Sequence, residues 1–287
     1  MRALPFAAAA AILGAALPAR ADDAPIFATL DRTADGDQLR ADVSTVLDNS
    51  PAPAGATATH VASRLDLHGQ ISVDRDTGIM LYGNLALSRA FDSRDPDGDL
   101  LGIGNAELGV AWRGRLARDL DIAAHVGMTL PTASDDELRL ANTMTAYTRL
   151  ADVALTLPDT TWARLGTSLT WHRGGFHLRG DVGVDVGMDS QPNVAGETVT
   201  FPTMGPLVHA NLGLGYTRGK LTAFAELVSL LRPGALLPGT ERLEHTAAIG
   251  ASYQLGPLTP FVAVTAPIAS QAEGRSAAFM LGVRGSF

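Results

Sequence analysis

Ionisable side chains recur at every second position along stretches that are otherwise apolar. Arg64, Asp66 and His68 form one such series, Glu107 and Arg113 belong to a second, and His125 to a third. Arg164 falls in a fourth, followed by His177, Arg179, Asp181 and Asp185. His209, Glu226 and Arg284 hold the same phase of later stretches. Charges of both signs on one phase can neutralise each other and fill an interior, or they can line a wetted constriction that selects solutes. The residues alone leave both open.

Other patterns point to other chemistry. Asp95, Asp97 and Asp99 stand at alternate positions with Asp92 nearby, and calcium favours such oxygen ligands. The helix-loop-helix calcium pattern fails, because Gly98 is misplaced and Ala106 stands where the bidentate Glu belongs. A solvated acidic loop is the other reading, and residues 31–37 repeat it more faintly. The chain has 7 His at no metal-ligand spacing and no cysteine, which argues against zinc and removes any thiolate site or disulfide. Ser229 and His245 share the apolar phase of their strands with no nucleophile motif around them, so no enzyme and no cofactor are expected.

These residues are positioned by strands. A period of two means an extended element with two unlike faces. Residues 38–48 alternate weakly. Clear alternation follows at 60–73, 79–88, 105–113, 120–130, 163–172, 176–188, 208–216, 221–227, 244–253, 258–266 and 276–287. Turns fall near Asp76, Leu116, Gly174, Gly219 and Gly256, and longer connections near Asp95, across 131–161, and near Asn193, Pro238 and Gln271. Short and long connections alternate, which is the habit of outer-membrane barrels with short periplasmic turns and long outer loops. With 38–48 included there are about twelve strands, an even number with both ends on one side.

The expected fold is therefore all-β, a transmembrane antiparallel up-and-down barrel. Each backbone group pairs in a closed barrel, which hydrocarbon demands. The apolar phase faces lipid, where Arg or Lys would cost about 2–4 kcal/mol at the midplane. The charged phase, holding every ionisable residue of the first paragraph, faces a lumen. Trp112, Trp171 and Tyr216 lie on the lipid phase near strand ends, as interfacial belts do.

Arg2, the apolar run 3–17 and Ala19-Arg20-Ala21 read as a cleavable secretory signal over 1–21. Residues 22–37 then form a periplasmic tail and 38–287 the barrel. The net charge of −8 argues against a nucleic-acid partner. The stretch 131–161 breaks the alternation, has room for a short helix at 136–150, and is long enough to be a lid or an inward constriction.

Two resemblances add to this. The last strand, ending on Phe287, resembles the closing strand of bacterial outer-membrane barrels. That resemblance implies recognition of this strand by the barrel-assembly machinery. Gly102-Ile103-Gly104-Asn105-Ala106-Glu107-Leu108-Gly109, followed by Gly127-Met128-Thr129-Leu130-Pro131-Thr132, is similar to a pattern of outer-membrane transporters of the phenol meta-pathway type. Leu65-Asp66-Leu67-His68-Gly69-Gln70 also looks like that family. Asn105 replaces its usual Asp, and Ala133 its usual Gly. The resemblance implies an outer-membrane barrel for passive uptake of small, often hydrophobic or aromatic molecules, with a small-molecule solute and the lipid bilayer as partners. It brings no catalytic residues. A lumen-filled structural or surface-interaction barrel is the alternative.

Overall fold

The computed structural model describes residues 27–29, 36–51, 57–92, 95–133, 149–157, 160–188, 193–194, 197–198, 205–233, 241–269 and 273–287. The expected signal segment 1–21 lies outside these, as does 136–148, most of the stretch with room for a short helix.

Strands form where the alternation is strong. They are β1 (Gln38–Pro51), β2 (Thr57–Asp74), β3 (Ile79–Asp92), β4 (Asp95–Ile103), β5 (Ala106–Ala117), β6 (Leu120–Leu130), β7 (Thr161–Arg173) and β8 (Phe176–Met188). The short pieces β9 (Asn193–Val194) and β10 (Glu197–Thr198) pair only with each other. Then come β11 (Leu207–Arg218), β12 (Leu221–Leu231), β13 (Leu243–Tyr253), β14 (Leu258–Ala269) and β15 (Ser276–Ser286). A 3-10 helix, Leu150–Leu155, lies between β6 and β7.

The sheet closes on itself. β1 pairs with β15 from Gln38↔Ser286 to Asp48↔Ser276, and with β2 along its other edge. β2 in turn pairs with β3, and the antiparallel ladder runs on through β5, β6, β7, β8, β11, β12, β13 and β14 back to β15. β4 and β5 share one position beside β3, interrupted at Gly104–Asn105, so the barrel has twelve staves. Closure pairs the other wall strands on both edges, while among the described residues β4 pairs with β3 alone. The weakly alternating 38–48 is thus a full stave, and it provides the seam.

The connection near Asp95 differs from expectation. Instead of a solvated acidic loop, β3 runs on to Asp92 and β4 begins at Asp95, so the hairpin is extended beyond the wall. The backbone of Asp95, Asp97 and Asp99 is strand, and their side chains lie outside the described residues.

Burial follows the two-residue period. Along β12, Thr222, Phe224, Glu226, Val228 and Leu230 are buried and Leu221, Ala223, Ala225 and Leu227 exposed. Leu108 and Ile249, on the outer face, are 61% and 65% exposed. A continuous apolar band of this kind is an anomaly in water and a requirement against hydrocarbon. Trp112, Trp171, Phe176, Tyr216 and Tyr253 are exposed near the short-turn ends of their strands. Phe176 and Tyr216 touch there, with ring centroids 4.7 Å apart. The turns are tight. Gly78 has φ +72°, and a Cβ on it would sit 2.1 Å from the Arg113 carbonyl oxygen, which leaves room for no other residue.

Candidate functional site

The glycine-rich stretch between β4 and β5 is where the wall grips a segment folded into the lumen. The Asn105 Nδ2 amide donates to the carbonyls of Leu157 at 2.6 Å and Ala154 at 3.2 Å, and Oδ1 accepts from the Ala133 N–H at 3.1 Å. The Asn105 backbone N–H donates to the Leu155 carbonyl at 2.9 Å. These bonds take up carbonyls at the end of the 3-10 helix that have no partner inside it. A Cβ on Gly104 would lie 2.8 Å from the Leu155 oxygen, so the close approach needs glycine there. The Thr132 hydroxyl donates to the Gly104 carbonyl at 2.9 Å and accepts from the Ala106 N–H at 2.8 Å.

Two arginines fix the other side of the same segment. Arg149, just before the helix, meets Asp42 of β1 at 2.6 Å, Asp66 of β2 at 3.3 Å and Asp152 of the helix at 3.1 Å. Arg164 of β7 meets Glu107 at 2.8 Å and Asp185 at 3.0 Å, and donates to the Ala151 carbonyl at 2.6 Å. A buried guanidinium is tolerated when its donors are all engaged, and its planar fork suits two carboxylates at once. The network continues around the wall. Glu107 accepts from Tyr82 at 3.0 Å and Asn84 at 2.8 Å, Asn84 meets His68 at 2.6 Å, and Asp185 meets His209 at 2.8 Å.

A second inward segment comes from the stretch expected to be a periplasmic tail, and the structure corrects that reading for 27–29. Phe27, Ala28 and Thr29 are buried inside the barrel. Glu226 of β12 accepts from the backbone N–H of Ala28 and Thr29 and from the Thr29 hydroxyl. Arg40 of β1 donates to the carbonyls of Phe27 and Ala28. The physical reason is that inward-facing Arg40 and Glu226 need partners, and three residues of chain offer bare backbone donors and acceptors. Phe27 packs edge-on to Phe224, with centroids 6.2 Å apart. Phe27, Leu150, Val153, Trp162, Phe224 and Phe261 belong to one buried apolar cluster inside the lumen.

All the alternating ionisable residues of the sequence fall on the inward phase, and the structure sorts them into groups. Arg64, Asp66, His68, Glu107, Arg164, Asp185, His209 and Glu226 surround the two inward segments. Arg64 pairs with Asp66 at 2.6 Å. His125 stands edge-on to Tyr82, with centroids 6.2 Å apart. Arg179 pairs with Asp181 at 3.0 Å. Arg113 sits nearer the short turns, bound to Asp121 at 3.1 Å. His177 and Arg284 are buried at the short-turn mouth, apart from the middle group. The sequence-based set omitted Arg40, Asp42, Asp121 and Glu244, which share the inward phase and were legible from it. It also missed Arg149, Asp152 and 27–29, which lie where no alternation exists to mark them.

Beside Arg164, Asp185 and His209 a cavity of about 40 Å³ remains, enough for water and no more. Among the described residues no three His, Asp or Glu gather as metal ligands. On the outer wall the Ser229 hydroxyl and His245 Nδ1 are 2.8 Å apart. An activated nucleophile also needs a group that orients the imidazole. Among the described residues His245 has no second polar partner, and the pair amounts to a cross-strand hydrogen bond.

Fold and lumen together define a closed twelve-stranded barrel of the outer-membrane type. Its structure is similar to that of an outer membrane channel from Pseudomonas putida F1, with a TM-score of 0.62 and 13% identity over 91% of this chain and 100% of the other. Looser likenesses, carrying no argument, are the translocator domain of the autotransporter NalP from Neisseria meningitidis and the CymD monoaromatic hydrocarbon channel. Their TM-scores are 0.49 and 0.45, at 11% and 10% identity, over 90% and 89% of this chain and 91% and 90% of theirs. In sequence, no protein-family model and no curated protein matches the chain.

Proposed function

We propose that the protein, exported by the signal at 1–21 and inserted in the outer membrane, is a passive channel for small hydrophobic or aromatic molecules. One observation carries this reading. The lumen is crossed by an apolar cluster containing Phe27, Phe224, Phe261 and Trp162, where a pore for hydrophilic solutes would be polar. The segments 27–29 and 149–157 set its width, held by Arg40, Arg149, Arg164, Glu226 and Asn105. The phenol meta-pathway resemblance of residues 102–109 and 127–132 supports the same class of solute, since those residues are the ones that hold the inward helix. The closing strand β15, with Phe287 outward, fits recognition by the barrel-assembly machinery.

A lumen-filled barrel without transport is favoured by the same two inward segments, so the test must separate the two. The fluorescent probe N-phenyl-1-naphthylamine is excluded by intact lipopolysaccharide. Cells making the barrel should take it up severalfold faster than cells without it, while liposomes carrying the barrel stay closed to arabinose. Equal probe uptake in both cell types supports the filled barrel.

A further inference from the structure

Four cations stand exposed on three short turns that follow one another around the wall. Arg118 is on the β5–β6 turn, Arg173 on the β7–β8 turn, and Arg218 and Lys220 on the β11–β12 turn. Backbone bonds join these turns to the strands beside them. The His172 N–H donates to the Asp119 carbonyl at 3.0 Å, and the Thr217 N–H to the Gly175 carbonyl at 2.8 Å. Other cations of the rim have acids. Arg113 and Arg115 meet Asp121, and Arg75, on the other half of the rim, meets Asp37. Among the described residues Arg118, Arg173, Arg218 and Lys220 meet no Asp or Glu. Asp119 is the one acid within the three turns, in a chain whose net charge is −8.

Aromatic rings stand directly behind these cations on the outer wall. Trp171 and Tyr216 hold the same outward phase as Arg173 and Arg218, two residues earlier on β7 and β11. Phe176 pairs across the strands with both Arg173 and Tyr216, and its ring centroid is 4.7 Å from that of Tyr216. Leu116 is exposed on the turn that carries Arg118. Rings of a barrel's belt sit at the headgroup level of a bilayer. Two strand residues span roughly 7 Å, so the arginines beyond the rings stand at the phosphates. A folded acidic partner would use the charges but not the rings and Leu116, which face lipid.

We propose that the outward edge of these three turns binds anionic phospholipid in the leaflet on the short-turn side. The guanidinium groups of Arg173 and Arg218 take the headgroup phosphate, and the acyl chains run along the wall past Phe176 and Tyr216. The planar guanidinium fork matches phosphate oxygens, and its charge-assisted hydrogen bonds are strong ones. Arg118 and Lys220 add attraction for further anionic headgroups on either side. The proposal rests on the membrane insertion stated above and not on transport.

The test is native mass spectrometry of the detergent-solubilised barrel, counting bound lipid during titration with phosphatidylglycerol or phosphatidylcholine. The first phosphatidylglycerol should bind about tenfold tighter than the first phosphatidylcholine. Arg173→Gln and Arg218→Gln should each weaken it about fivefold, as loss of one basic residue at an anionic surface does. Arg75→Gln, on the other half of the rim, should leave it unchanged. All three side chains are exposed, so the variants fold. Equal affinity for the two lipids, or a preference indifferent to Arg173→Gln combined with Arg218→Gln, overturns the site. Displacement of phosphatidylglycerol by inorganic phosphate overturns the lipid assignment in favour of a bare anion, and displacement by polyglutamate at equal charge overturns it in favour of an acidic protein. Failure of N-phenyl-1-naphthylamine uptake alongside an intact lipid preference would instead count against the channel reading alone.

Discussion

The side-chain amide of Asn105 reaches 2.6 Å across the lumen wall to the carbonyl of Leu157. That bond joins the start of β5 to the end of the inward helix. Asn105→Ala takes the side-chain donor from the Ala154 carbonyl and leaves that of Leu157 with the Thr160 hydroxyl, at about 1–3 kcal/mol for a buried unmet group. The variant should show larger or more frequent single-channel openings in planar bilayers, with the barrel still closed. Asn105→Asp, the residue of the resembling family, removes the donor and sets a carboxylate against carbonyl oxygens, so it should open at least as readily. An unchanged trace for both would detach Asn105 from the inward segment.

Arg164 serves Glu107 and Asp185 at once. Arg164→Met leaves both carboxylates buried without their cation, which costs about 3–5 kcal/mol. Denaturant unfolding in detergent should register that loss. Adding Glu107→Gln and Asp185→Asn to Arg164→Met should recover most of it, because no buried charge is then left unpaired.

Tyr82 lies flat against the inner wall over two glycines. A Cβ on Gly127 would stand 2.3 Å from its hydroxyl oxygen, and one on Gly109 2.4 Å from its ring. Gly127→Ala should therefore destabilise the barrel. Tyr82→Phe removes the clashing oxygen and also the bond to Glu107. The double variant should lose less than the sum of the two, with a coupling in the range of about 0.5–3 kcal/mol for residues in contact. Strict additivity would show that the ring is placed elsewhere.

Asp37 closes the short-turn rim. It accepts from the Ser72 N–H and pairs with Arg75 at 2.8 Å, while its carbonyl accepts from the Phe287 N–H. Burial pushes its carboxyl up, but the Ser72 and Arg75 contacts outweigh this and hold it below the ordinary carboxylate value. A depressed pKa means stability that is present above the unfolded value, near pH 3.9, and lost as pH falls through the lower folded one. Hydrogen exchange at the Ser72 amide should stay protected at pH 5 and loosen only below about pH 4. Asp37→Ala, which removes the acceptor altogether, should expose that amide at all pH values.

The barrel was legible because its cause is periodic. Alternation, sorted connections and the apolar phase of β12 or β15 all follow from one sheet rolled between lipid and lumen. Even the weak 38–48 stretch was placed correctly by the need for an even number of staves. What lay hidden lacks periodicity. Arg149 and Asp152 sit in a segment without alternation. Phe27 to Thr29 enter the lumen because Arg40 and Glu226, far apart in sequence, need partners there. The extended hairpin of β3 and β4 was hidden for another reason, since its charges suggested a loop while its backbone still found a cross-strand partner. The glycine-rich motif was read only as a resemblance, and its physical use as a dock for the helix needs the fold to be seen.

In the proposed channel, the inward segments and the apolar cluster form a gate for hydrophobic solutes. The most direct measurement is the rate of N-phenyl-1-naphthylamine uptake by lipopolysaccharide-intact cells making the native barrel or its Arg149→Ala variant, against cells making none. The account predicts uptake faster than background for the native barrel and faster still for the variant, whose clasp to Asp42 and Asp66 is gone. Uptake at background for both, with each barrel folded in the membrane, would contradict it.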